Sequence, residues 1–221
     1  INTNPTIVSK PDPRYLFTQA LANFDGHDYF AWYYDYNNML RWSQTVASTG
    51  GNENLMTTMS NSGKMGSQVY NVMNQVNELT YIVNTTLEGE EQAKYTYLKA
   101  LCQPLMIYLA MWDTDMYGSM AYTEAYQARY GGTLTPKYDT QAELFDLWEK
   151  QLKETVETLA NDVTIDGNKV TQQSLGSQDI IYQGDYTKWL KFANSLRLKL
   201  AFRLINEDKD RALNIVRDAA K

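Results

Sequence analysis

The chain has little of the chemistry on which enzymes and stapled domains usually rely. Its 221 residues include one cysteine and one histidine. Cys102 alone cannot close an intrachain disulfide, and its place in the apolar run Leu101-Cys102-Gln103-Pro104-Leu105 reads as a buried, inert thiol. His27, beside Gly26, reads as a turn residue, and one histidine cannot build a multi-histidine zinc site. Positive charge is also short: 20 Lys+Arg face 26 Asp+Glu, a net charge of −6. With no basic cluster, this argues against phosphate-driven binding to nucleic acid and against attachment to an anionic membrane surface. A neutral or cationic partner fits better. No apolar stretch approaches the roughly 18 residues needed to span a bilayer, and the opening Ile1-Asn2-Thr3-Asn4-Pro5 is not a signal peptide. Any targeting segment is expected to lie before it.

Aromatic side chains, by contrast, are plentiful. They make up 13% of the chain, as 17 Tyr, 5 Trp and only 6 Phe. Tyr and Trp join a flat apolar face to a polar tip, which suits half-wet surfaces that stack on sugar rings or pack on protein partners, as well as ordinary helix packing. The length suits one large domain or two small ones and leaves ample material for a continuous core.

Apolar periodicity predicts helices throughout. Residues 1–12, with Pro5 and Pro11, read as an extended lead-in. Asp12 can then cap a helix with Pro13 in its first turn and Leu16, Phe17, Ala20, Leu21 and Phe24 on one stripe. Tyr29, Trp32, Tyr33, Tyr36 and Leu40 predict a second helix, and residues 43–54 a loop. Met65, Val69, Val72, Met73, Val76, Leu79 and Val83 form the cleanest amphipathic stripe. From Gly89 a single helix is expected, with Glu90 and Glu91 in its first turn and a stripe from Ala93 to Trp112, kinked near Ala100–Leu101 by Pro104. A loop from 113 to 138 should follow, then a helix capped by Asp139 or Thr140 with Leu144, Phe145, Trp148, Leu152, Val156 and Leu159 inward. Residues 160–184 read as loop or ragged helix. Asp185 caps a long helix through Leu204, and Ala212, Ile215, Val216 and Ala219 begin another. No run alternates like a strand, so the fold class is all-α, with helix pairs packed as antiparallel hairpins. The tetratricopeptide period of about 34 residues is not visible as a repeat.

Three segments resemble the SusD/RagB family. Asn2-Thr3-Asn4-Pro5 is similar to the Asn-x-Asn-Pro that follows the lipidated cysteine in these proteins. Asp115-Met116-Tyr117-Gly118, Tyr122-Thr123-Glu124-Ala125 and Pro136-Lys137-Tyr138-Asp139-Thr140-Gln141 resemble the family's D-x-Y-G, Y-T-E-A and P-x-Y-D-T-Q stretch. The most specific segment is Gly184-Asp185-Tyr186-Thr187-Lys188-Trp189-Leu190-Lys191-Phe192-Ala193-Asn194-Ser195-Leu196-Arg197-Leu198-Lys199-Leu200-Ala201, close to the family's G-D-x-x-K-W-x-K-F-A-N-S-L-R-L-R-L-A. Ala121 stands where the family usually has proline, and Ser119 where an acidic residue is common.

The resemblance implies a tetratricopeptide-like α-α superhelix over residues 13–221, forming the N-terminal portion of a family member and incomplete at its C-terminal end, behind a removed lipid-anchor segment. It further implies a surface-exposed, lipid-anchored outer-membrane protein that binds oligosaccharide or polysaccharide without catalysis, working with a TonB-dependent, SusC-like transporter in nutrient uptake. A helical interaction module or a peptide-binding relative is the alternative. No cofactor and no metal are expected.

For sugar contact the candidates are Trp42 at the end of the second helix, Asn52 and Asn54 in the next loop, and Tyr126 and Tyr130 in the Gly-containing loop. Aromatic faces cover the C–H side of a pyranose, and Asn amides pair with adjacent hydroxyls. Asp25, Asp28, Asp35, Asp113 and Asp115 would supply carboxylates to a glycosidase, but no spacing fixes the separation that such an enzyme requires, and they read as caps and surface charge. In the segment from Gly184, Trp189, Phe192 and Leu196 are expected to pack inward and Lys188, Lys191, Arg197 and Lys199 to stay wet.

Overall fold

The computed structural model describes residues 12–24, 40–47 and 68–220. These form α1 Pro13–Ala22, a single helical turn at Leu40–Trp42, α2 Gln68–Thr86, α3 Gly89–Ala93, α4 Thr96–Tyr117, α5 Gln141–Ala160, α6 Tyr186–Leu204 and α7 Lys209–Ala219. The all-α class is as expected. Among the described residues the one sheet is a hairpin of two-residue strands, β1 Thr164–Ile165 and β2 Asn168–Lys169, with Thr164 opposite Lys169. Outside the described residues lie Asn2 to Pro5, Asp25, His27, Asp28, Asp35, the bulk of the expected second helix, Asn52, Asn54 and Met65.

Local rules set the helix ends. Asp12 accepts the Arg14 N–H at 2.9 Å, Pro13 occupies the first turn, and Phe17, Ala20 and Leu21 are buried. On α2 the stripe Val69, Val72, Met73, Val76, Leu79 and Val83 is buried as its spacing requires. Thr140, not Asp139, caps α5, in a reciprocal box with Glu143. Asp185 caps α6 through the N–H groups of Thr187 and Lys188.

Helix α4 lies at the centre and packs on α1, α2, α5 and α6, while α6 also packs on α5 and α7. The long helices thus rest on their long neighbours in the chain, and the four-residue connection 205–208 folds α7 back on α6 as a hairpin. One core results, filled by Leu101, Leu105 and Met111 of α4, Trp148 and Leu152 of α5, and Trp189 and Leu200 of α6.

Three expectations change. The single helix from Gly89 is two, broken at Lys94 and Tyr95. Segment 172–173 fills the break: Gln172 accepts the Tyr97 N–H at 3.0 Å and donates to the Ala93 carbonyl at 3.0 Å, and the Gln173 N–H donates to the Lys94 carbonyl at 2.8 Å. The Ala93-to-Tyr97 spacing hides this break, because both residues keep the helical phase. Next, α4 runs on through Asp113 to Tyr117, residues expected in the loop, and stops at Gly118, whose φ of 74° is left-handed. Pro104 sits inside α4 without ending it; the Ala100 carbonyl it cannot bond lies 3.4 Å from the Thr155 hydroxyl, which has a nearer acceptor in the Gln151 carbonyl at 2.9 Å. Residues 160–184 contain the β-hairpin, turned by Asp166 and Gly167 with φ of 50° and 79°. That Asp-Gly pair is a hairpin signal the periodicity reading passed over.

Candidate functional site

The loop between α4 and α5 is built around one carboxylate. Asp139 is 2% exposed and accepts the N–H groups of Tyr122 at 3.1 Å and Thr123 at 2.8 Å and the Thr123 hydroxyl at 2.8 Å, with Lys137 Nζ at 3.4 Å. Its backbone also pairs with Met120 in both directions, at 2.8 and 3.1 Å. Burial alone would raise the Asp139 carboxyl, but these donors outweigh it and hold the group below its usual range. Glu124 closes the second strap by accepting the Lys137 N–H at 3.0 Å.

So fixed, the loop lies against one face of α2. Tyr126 stacks on Tyr70, with centroids 5.8 Å apart and planes 25° apart, and Tyr130 leans on Tyr81 at 4.8 Å. The Tyr70 hydroxyl donates to the Ala121 carbonyl at 2.9 Å, and the Tyr130 hydroxyl donates to Glu78 at 2.6 Å, where Arg129 also pairs at 3.1 Å. Burial, chiefly, and then the Glu78 carboxylate push the Tyr130 hydroxyl well above the ordinary tyrosine range, so it stays a donor. Burial likewise raises Tyr70, helped by Asp113.

Of the residues nominated from sequence, Tyr126 and Tyr130 come together on this face, Tyr126 48% exposed and Tyr130 half-buried. Trp42 stands on the separate turn Leu40–Trp42, 39% exposed. Tyr70, Glu78 and Tyr81 were not anticipated. Their signal is the wet side of α2, whose apolar side alone carried the helix assignment.

Elsewhere the polar groups hold the fold. Asp179 is fully buried and accepts from Trp189 Nε1 at 2.7 Å and from the N–H groups of Ile181, Tyr182 and Gly184 at 3.0–3.1 Å. Gly184 is required there: its φ is 81°, and a Cβ would come 2.9 Å from the Gly176 nitrogen. Asp115 of α4 is gripped by the guanidinium of Arg203 on α6, with Nε at 3.0 and 3.1 Å from the two carboxylate oxygens. Arg197, expected to stay wet, is 2% exposed and pairs with Asp218 at 2.6 Å and Glu149 at 3.7 Å. Lys199 is half-buried, with its amine 4.7 Å from the Tyr108 ring centre. An open cleft of about 530 Å³ beside Arg197 is lined by both charge signs, among them Lys153, Asp208 and Arg211. Burial pushes the Cys102 thiol up to about 12. The described residues hold no group of three or more His, Cys, Asp or Glu that could bind a metal, and no described helix is long and apolar enough to cross a membrane.

Residues 5–221 match the SusD-like family described as "Starch-binding associating with outer membrane". The chain belongs to that family. Among solved structures, it is similar to a chitin-binding protein (24% identity, TM-score 0.69, covering 94% of this chain and 42% of that one). It is also similar to a SusD homologue from Parabacteroides distasonis (21%, TM-score 0.64, 94% and 38%). A SusD/RagB family protein from Bacteroides thetaiotaomicron is a third (22%, TM-score 0.61, 95% and 42%). The SusD-like chain therefore spans about two fifths of the length of these relatives. The comparison with curated proteins finds no match.

The segments that carry the family resemblance now have a physical meaning. Asp115 ties α4 to α6; Tyr122-Thr123-Glu124-Ala125 is clamped by Asp139 and joined through Glu124 to Lys137; and Gln141 donates to the Thr114 carbonyl at 3.1 Å. Trp189 is anchored by Asp179. Within the SusD-like chain these are scaffold contacts that present the tyrosine face without belonging to it.

Proposed function

We propose that this chain is part of a cell-surface, non-catalytic oligosaccharide-binding subunit, lipid-anchored in the outer membrane and working with a TonB-dependent, SusC-like transporter in nutrient uptake. The observation that carries the reading is the family match across residues 5–221, with its starch-binding, outer-membrane description. A chitin-binding protein among the structural relatives supports a glycan as cargo. The geometry supports it as well. Tyr126 and Trp42 are 48% and 39% exposed, and the Glu78 carboxylate beside Tyr130 is already occupied by two donors. That arrangement suits stacking and hydrogen bonding better than proton transfer. Asn52 and Asn54 are proposed to join the same loop-face group by offering amides to sugar hydroxyls.

The test is calorimetric titration of the full-length protein with chitin and starch oligosaccharides, with reducing ends assayed in parallel. Shallow stacking on one ring gains little, so a dissociation constant near 1 mM, about −4 kcal/mol, is expected for short ligands, with no release of reducing ends. The variant to compare is Trp42→Ala with Tyr126→Ala; Tyr130→Ala is a poorer choice because it would also unseat Glu78 and Tyr81. Loss of glycan affinity with an unchanged melting temperature is the expected outcome. Undiminished affinity in the double variant, or binding of peptides but no glycan, would overturn the assignment.

A further inference from the structure

Helix α2 carries a second, half-wet stripe beside its buried one. Tyr70, Asn74, Asn77 and Tyr81 follow at intervals of four, three and four residues, so they lie one above another on a single face. Tyr70 and Tyr81 are eleven positions apart, which at 1.5 Å per residue places them about 16 Å apart along the axis and almost in line around it. Each supports a second ring: Tyr126 stacks on Tyr70 and Tyr130 on Tyr81, while Asn77 holds the loop through the Ala125 carbonyl at 3.4 Å. The described residues leave this face partly open. Tyr126 is 48% and Tyr81 45% exposed, and the side-chain amide of Asn74, also exposed, makes no hydrogen bond among the described residues. Tyr126 adopts this pose at φ 57°, a left-handed conformation that a bulky side chain avoids unless its surroundings impose it. The clamp on Asp139 and the tie through Asn77 impose it here, and the result is a ring held flat at the surface.

We infer that this stripe is a two-platform site for a linear, neutral oligosaccharide of at least three sugar units: Tyr126 on Tyr70 takes one end, Tyr81 beside Tyr130 takes the other, and the Asn74 amide meets hydroxyls between them. The inference rests on the glycan-binding reading above and adds a length requirement to it. Two platforms about 16 Å apart along a helix are too far apart for a disaccharide to touch both. A shorter ligand therefore uses one platform, and a longer one uses both. Amides between rings suit neutral hydroxyls, which donate and accept at once, better than a charged group.

The experiment is titration of the full-length protein with chito- and maltooligosaccharides from two to six units. In at least one series affinity should climb between two and four units and then level off, by about 5–10-fold, the gain expected from one additional stacked ring. Tyr81→Ala should abolish that climb, so that every length binds about as weakly as a disaccharide; Tyr81→Phe, which keeps the ring, should bind like the parent and serves as the folding control. Affinity that does not change with length, or a Tyr81→Ala variant that binds every length as the parent does, would overturn the two-platform site and leave the broader glycan reading standing. If no saccharide of any length binds, both fall. If Tyr81→Ala spares glycan binding but weakens co-purification with the transporter, the stripe is a protein interface and the inference is wrong.

Discussion

Asp139 and Asp179 organise their surroundings in the same way: each is a buried carboxylate that gathers backbone N–H groups from a turn otherwise left without partners. Neither role is legible from sequence. Asp139 reads as a helix cap because it precedes an amphipathic run, and the capping in fact falls to Thr140; its true partners lie 16 and 17 residues earlier. Asp179 sits in a polar stretch with no period, and its buried donor, Trp189, belongs to the next helix. The depressed Asp139 carboxyl has a consequence for acid stability. A group whose folded pKa is lowered stabilises the fold at pH values above its unfolded pKa, about 3.9, and that contribution is lost as pH falls through the folded value. Asp139→Asn should therefore melt lower than the parent at neutral pH, and the two melting curves should converge on acidification below about pH 4. Thermal scans across pH would show it; a gap that stays constant to pH 2 would mean that the carboxylate's charge contributes nothing.

At the scale of elements, sequence reading does well where one face of a helix is buried and poorly where a helix is interrupted or a polar residue goes inward. The stripes of α1, α2 and α5 match their buried faces almost residue for residue. The break between α3 and α4 stays hidden because segment 172–173, remote in sequence, supplies its hydrogen bonds. Arg197 is the clearest inversion. Charge predicts exposure, but Arg197 faces α7, where Asp218 accepts from it at 2.6 Å, with Glu149 of α5 nearby. The side chain thus latches the last helix to the two before it. Arg197 is buried but its carboxylate partners are 27% and 39% exposed and would be rehydrated, so Arg197→Ala should lower stability by about 1–3 kcal/mol. The loss should also be local: amide exchange in Lys209–Ala219 should quicken before that of α4 or α5. Uniform loss of protection across all helices would show that Arg197 is not a local latch on α7.

For the whole molecule, a negatively charged helical scaffold presents rings at its surface, and these two properties together predict how binding responds to its medium. With a net charge of −6, any recognition that depended on charge would weaken as salt screens it over a Debye length of about 10 Å at 0.1 M. Stacking on tyrosine and hydrogen bonding to amides carry no net charge and are barely screened. Oligosaccharide affinity of the full-length protein should therefore change by less than about twofold between 0.05 and 0.5 M salt, whereas a cationic partner would lose affinity steeply over the same range. Surface density should act in the opposite sense. A polysaccharide offers many equivalent units, so receptors held together on one surface engage it at several points, and the apparent affinity should rise well beyond that of the isolated protein. Titration of immobilised protein at increasing density against polymer and against a hexasaccharide separates the two effects: the polymer should tighten with density and the hexasaccharide should not. A hexasaccharide that tightens equally would point to cooperation between neighbouring receptors, and a strong salt dependence would place an ionic contact in the site that the tyrosine face does not supply.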